Sequence, residues 1–148
     1  MDEIKTPILV GSGQITQREP DVERALSPLD LTAAAASKAI EDTGAGDALL
    51  KLIDTMVLIR SFSDTSWRFK CPFGKYSNPP LSLANRLGAE NVKRHIYTHP
   101  GGNMPQWCVN RMFEMIARGE MEIGMIAGGE ALATQKNAQR KKTKLNWD

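Results

Sequence analysis

The stretch THPGGNMPQWCVNRMFEMIARGEMEIGMIAGGEAL, residues 98–132, decides how the chain reads. It opens at the end of an apolar run, His95–Thr98, that reads as a strand. Pro100-Gly101-Gly102 is a sharp turn. From about Met104 to Arg118, apolar residues recur at helical spacing. Val109, Met112, Phe113 and Ile116 form one stripe, and Cys108 and Met115 widen it. A helix so apolar is expected to be largely buried. Gly119 stops it. Ile123–Ala127 then reads as another strand, ending in Gly128-Gly129-Glu130. A strand, a glycine turn, a buried helix and a second strand make a crossover unit between parallel strands.

Working outward, the same alternation continues. Ile53–Ile59, rich in Ile, Val, Met and Leu, reads as a strand buried on both faces. Before it, Ser27 caps a helix, Pro28 fits its first position and Asp30 suits the positive end of its dipole. Leu29, Ala33, Ala36 and Ile40 follow at helical spacing, and Gly44 stops the helix. The alanines from Ala33 to Ala36 let this helix approach a neighbour closely. Thr6–Val10, followed by Gly11-Ser12-Gly13, reads as an opening buried strand and turn. Residues 18–25 are polar and cross the surface. Residues 61–80 form a long loop carrying Trp67, Phe69, Cys71, Phe73 and Tyr76. Loops of that length are functional or make interfaces. Pro79 and Pro80 lead into a short helix, Leu81–Leu87, stopped by Gly88. The order predicts an α/β fold, a mostly parallel sheet with helices on both faces and right-handed crossovers. Ligands on such sheets bind at the carboxyl ends of the strands, where both glycine turns lie.

Composition narrows the function classes. The chain has 148 residues, 41% hydrophobic and 24% charged, as expected of one folded domain. A formal net charge of +2 gives no reason to expect a nucleic-acid partner. No apolar run approaches a membrane span. The start, MDEIKTPILV, has acidic residues where a signal peptide is basic, so a cytoplasmic location is expected. Two cysteines, Cys71 and Cys108, without a Cys/His cluster make no metal site, and both are expected to be free thiols.

Three segments carry a resemblance: TPILVGSGQ with DLTAAAASKAIEDTGA, then LIDTMVLI, then residues 98–132 with their AGG-E ending. Together they resemble the N-terminal half-domain of the thiolase superfamily, near the sterol-carrier-protein type of thiolase. The resemblance implies a thiolase-like half-domain over residues 1–134. Residues 135–148 then form a basic tail where the family's lid region starts, and the C-terminal half is absent. It implies acyl transfer to or from coenzyme A, an acetyl-CoA acetyltransferase chemistry of lipid metabolism. It also implies acyl-CoA as substrate and either a homodimer or association with the missing half. No covalently bound cofactor is implied.

This sequence departs from the family at the decisive position. The family places a nucleophilic cysteine at the start of the buried helix, where the helix N-terminus stabilises a thiolate. Counted back from AGG-E, that position falls on Gly102, or on Gly101 or Asn103 with a small shift. None can form a thioester. Cys108 lies about a turn and a half further along and is expected to be a core thiol. No catalytic residue is therefore assigned, and the chain by itself is expected to be inactive. A non-catalytic acyl-CoA-binding or assembly protein is the alternative. The substrate-binding candidates are His99, Gly101, Gly102, Asn103 and Met104. His99 is expected to bond nearby backbone, and Asn103 to cap the helix from Met104. Gly128, Gly129 and Glu130 form the turn signature, the glycines through positive φ and Glu130 by holding the turn. Lys136, Arg140, Lys141, Lys142 and Lys144 could meet coenzyme A phosphates, but a solvated surface is the preferred reading.

Overall fold

Helix α1 (Pro28–Asp42) forms as its sequence dictates. The Ser27 hydroxyl accepts from the Asp30 N–H at 3.1 Å and donates to the Asp30 carboxylate at 2.6 Å. That reciprocal bond satisfies one of the amides a helix start leaves unpaired. A short helix α2 (Asp47–Leu50) leads into strand β1 (Thr55–Leu58). Asn78 caps helix α3 (Pro79–Leu87), and Gly88 ends it in the left-handed conformation that glycine adopts without penalty. Strand β2 (Arg94–Tyr97), helix α4 (Met104–Ala117), strand β3 (Gly124–Ala127) and helix α5 (Leu132–Lys141) follow. This computed structural model describes residues 5–147. The acidic Asp2 and Glu3 of the chain start, and Asp148, lie outside the described residues.

The three strands form a parallel sheet in the order β2-β1-β3. All four residues of β1 are buried, as befits a central strand with helices on both faces. The period-two alternation sorts them. Met56 and Leu58 pack with Leu29 and Ile40 of α1 and Leu83 of α3. Val57 turns the other way and packs with Cys108, Met112 and Met115 of α4. Asp54 ties the strand starts together. Its carbonyl accepts from Lys93 and Arg94, and its carboxylate accepts from the Glu122 N–H at 2.8 Å. No described helix is long and apolar enough to cross a membrane.

Four expectations need correction. Thr6–Val10 does not join the sheet; the strand order contains no ladder for it, and Ile8 and Leu9 are 70% and 80% exposed. What holds this segment is helix α1. A methyl at Gly11 would run into the Ala39 carbonyl oxygen, and one at Gly13 into that of Ala35. The alanine-rich face does approach a neighbour closely, and that neighbour is the glycine pair. Second, α4 is buried on one side only, through Cys108, Met112 and Met115; Trp107 and Phe113 stay 54% and 39% exposed, because the sheet and its helices cover only one face. Third, Gly128 and Gly129 do not have positive φ. They are small because a Cβ at Gly129 would collide with the Thr32 hydroxyl, and one at Gly128 would press on Ile59. Fourth, Asn103 stands at the N-cap of α4 without a side-chain capping bond, since its φ of −86° and ψ of −9° are already helical. Beyond these, helix α5 runs through position 135, where the polar tail was expected to begin.

Candidate functional site

The carboxyl ends of the three strands converge on one edge, and each brings different chemistry. After β1 the chain continues through Ile59, Arg60 and Ser61. After β2 come Thr98 and His99, and after β3 come Gly128, Gly129 and Glu130. The Arg60 N–H donates to the Thr98 hydroxyl at 3.0 Å, and Arg60 Nε to the Thr98 carbonyl at 2.7 Å. The Arg60 guanidinium lies 4.4 Å from the centroid of the Tyr97 ring, a cation–π contact. Tyr97 Oη donates to Asp64 at 2.9 Å and accepts from the Ser61 N–H at 3.3 Å. Burial pushes the Tyr97 phenol above its ordinary pKa, and the neighbouring Asp64 carboxylate adds to the rise. Tyr97 therefore stays a neutral donor at neutral pH.

Glu130 reaches across from the β3 turn and accepts from the Phe62 N–H at 2.5 Å. That bond pins the start of the 61–76 loop to the strand edge. Burial of the carboxylate raises its pKa, against the lowering effect of the Phe62 bond. No histidine stands beside it among its hydrogen-bond partners, so it is not set up as half of an acid–base pair.

The 99–104 turn lies at the end of β2 and faces solvent. His99, Gly101, Gly102 and Asn103 are exposed, and Met104 is half-buried. The His99 carbonyl accepts from the Thr98 hydroxyl at 2.9 Å. Gly101 has a φ of +155°, and the Met104 N–H closes the turn on the Gly101 carbonyl at 3.1 Å. Around Gly102 there is open space, and its φ is not in the left-handed region. A side chain fits there, so the backbone does not demand the glycine. Cys108 lies on the buried side of α4, and burial raises its thiol pKa. Neither cysteine is in a disulfide.

The structure thus brings Glu130 to the strand edge beside the loop, while the 99–104 turn stands apart at the mouth of α4. A cavity of about 80 Å³ opens between α1 and the 61–76 loop. Ser63, Asp64, Cys71, Tyr76, Tyr97 and Trp147 are among its walls, and the 99–104 turn is not. Trp147 lies against the loop: its N–H donates to the Phe73 carbonyl at 2.7 Å, and the two rings meet edge-on at 5.2 Å. Arg60, Asp64 and Tyr97 escaped the sequence reading. Their signal is position, since Arg60 and Tyr97 border the carboxyl ends of parallel strands.

No family model matches the chain, and no curated protein matches it. Among solved structures it is similar to the crystal structure of a monomeric SCP2-thiolase-like protein type 1 from Mycobacterium smegmatis. The two share 31% identity with a TM-score of 0.69 over 85% of this chain. The chain spans about a quarter of that protein, 24% of its length.

Proposed function

We propose, from the thiolase-like fold that this chain carries near the SCP2 type of thiolase, that the domain contributes to non-covalent binding of an acyl-CoA thioester and forms no acyl-enzyme through its own residues. One observation carries the reading: the head of α4, where such chemistry needs a thiolate, holds Gly102. No other described residue at the head of α4 replaces it. Cys108 is buried with its pKa raised, so it stays a thiol and faces the core. Glu130 is engaged with Phe62. Support for binding comes from the turn itself. It is open to solvent, it stands at a helix start that favours a carbonyl oxygen or an anion, and the Asn103 amide is not spent on capping. The exposed Lys136, Arg140 and Lys141 of α5 supply cations for the phosphates.

The test is calorimetry of acetyl-CoA binding, on this chain and on the longest natural form of the protein, followed by intact-mass measurement. Binding without an acetyl mass increase is the expected outcome. A stable acetyl adduct mapped to a residue of this chain, such as Cys71, overturns the reading, whereas an adduct elsewhere in the longer form leaves it standing. Absence of binding by both forms removes acyl-CoA altogether.

A further inference from the structure

The tip of the 61–76 loop is built from two short 3-10 turns, Phe62–Asp64 and Trp67–Phe69. The Thr65 N–H closes the first on the Phe62 carbonyl at 3.1 Å, and the Lys70 N–H closes the second on the Trp67 carbonyl at 3.3 Å. The Thr65 hydroxyl donates to the Phe62 carbonyl as well, at 2.6 Å. The Phe62 and Phe69 rings, 4.2 Å apart between centroids, join the two turns. Glu130 holds the base of the tip at the Phe62 amide. The tip therefore has a fixed shape, yet residues 66–70 are all exposed. Trp67 is 86% exposed, so its ring stands off the surface. A tryptophan ring offers a large apolar area that folding ordinarily covers.

The charges around this ring have one sign. Residues 61–76 carry three cations, Arg68, Lys70 and Lys75, and one carboxylate, Asp64. Asp64 is turned inward. It accepts from Tyr97 Oη at 2.9 Å and pairs with Lys75 at 3.6 Å. Arg68 and Lys70 belong to none of the ion pairs among the described residues. The outward face is thus Trp-Arg-Phe-Lys, ring and cation in alternation.

We infer that this tip is a reversible anchor for an anionic lipid surface, with Trp67 and Phe69 at the boundary between headgroups and acyl chains and with Arg68 and Lys70 on the lipid phosphates. Three observations select that partner. An indole, apolar with one polar N–H, suits this boundary. Unpaired cations beside it complement a negative surface, and their long stems let the charge stay at the headgroups while the rings enter. The tip is already ordered, so little conformational freedom is lost on contact. A single nucleic-acid strand needs successive ring faces along a basic groove. Here Phe62 and Phe69 turn toward each other instead, and only Trp67 stands free. The inference does not rest on acyl-CoA binding.

The test is co-sedimentation of the 148-residue chain, and of the longest natural form, with vesicles of phosphatidylcholine alone or mixed with phosphatidylserine. Both forms are expected to sediment with the mixed vesicles only, and less so as salt is raised. Trp67→Ala is expected to weaken partitioning about tenfold, and the double change Arg68→Gln with Lys70→Gln about as much. Trp107→Ala, at an exposed position of α4, leaves it unchanged. Trp67→Phe still sediments but loses the fluorescence quenching that brominated lipid produces in the parent. Equal binding to neutral vesicles overturns the anchor, as does undiminished binding by Trp67→Ala with an unchanged circular dichroism spectrum. Failure of both forms to sediment overturns it too. Binding by the 148-residue chain alone makes the tip an internal contact of the longer protein and overturns it as well. Tighter binding of an oligothymidylate, with quenching of Trp67, makes nucleic acid the partner and overturns the stated one. None of these outcomes bears on the calorimetry with acetyl-CoA.

Discussion

Glu130 is bound by two opposing effects. Burial disfavours its charge, and the Phe62 N–H favours it; burial wins, so the folded-state pKa lies above the ordinary 4.5. The folded chain therefore holds this proton more tightly than the unfolded chain. The stabilisation is fully present below pH 4.5 and is lost as pH rises through the folded value. Glu130→Gln keeps an oxygen for Phe62 and removes the charge. Its melting temperature by circular dichroism at pH 7 is expected to equal or exceed that of the parent, with a gentler decline between pH 4.5 and pH 7. A less stable variant at pH 7 means that the charged hydrogen bond outweighs burial. At this scale the sequence was only partly readable. The core placement of Cys108 follows from helical spacing, whereas the missing thiol at Gly102 is legible only through the family resemblance. The small size of Gly129 is legible through neither, because its reason is Thr32, a residue distant in sequence. Arg60 and Tyr97 were hidden for the same reason, as their contact joins two strands.

Local signals settled most elements. Helix α1 starts where Ser27, Pro28 and Asp30 place it. Asp30 shows why the cap holds. Burial alone would raise its pKa, but the Ser27 hydroxyl and the Arg86 guanidinium, 2.6 Å away, lower it below the ordinary 3.8. Ser27→Ala removes the cap and is expected to cost about 1 kcal/mol in urea denaturation at pH 7. The loss shrinks in acid, because the stabilisation of Asp30 exists above pH 3.8 and disappears as pH falls through its lowered folded value. An undiminished loss at low pH would mean that the cap acts without the carboxylate. The element that failed is Thr6–Val10. Its composition is that of a buried strand, and period and propensity report only what a segment could pair with. They do not report whether the pairing partner lies within the chain.

Across the whole molecule, protection is set by position in the sheet. β1 is flanked on both sides and wholly buried, whereas residues 6–11 are tied to no ladder. Amide exchange is expected to be slowest at Met56 and Val57 and fastest, among residues 5–147, in the segment around Ile8–Val10. Slow exchange at Ile8–Val10 in the isolated chain would show that the segment is already paired, through self-association or a rearranged sheet. The topology was legible because each crossover carries its own apolar run and glycine stop. The exposure of Ile8–Val10 was not, because a sequence shows which faces are apolar without showing which remain uncovered.

The strand order has a consequence for synthesis. The central strand, Thr55–Leu58, leaves the ribosome before either of its partners, and its second ladder needs Gly124–Ala127. Until that last stretch emerges, one edge of β1 and the side of Val57 that packs on α4 are bare. Fast local helices such as α1 form early, and the sheet closes late around an apolar strand that has been waiting. The nascent chain is most exposed to chaperones, and to mispairing with its neighbours, in the interval between residues 58 and 127.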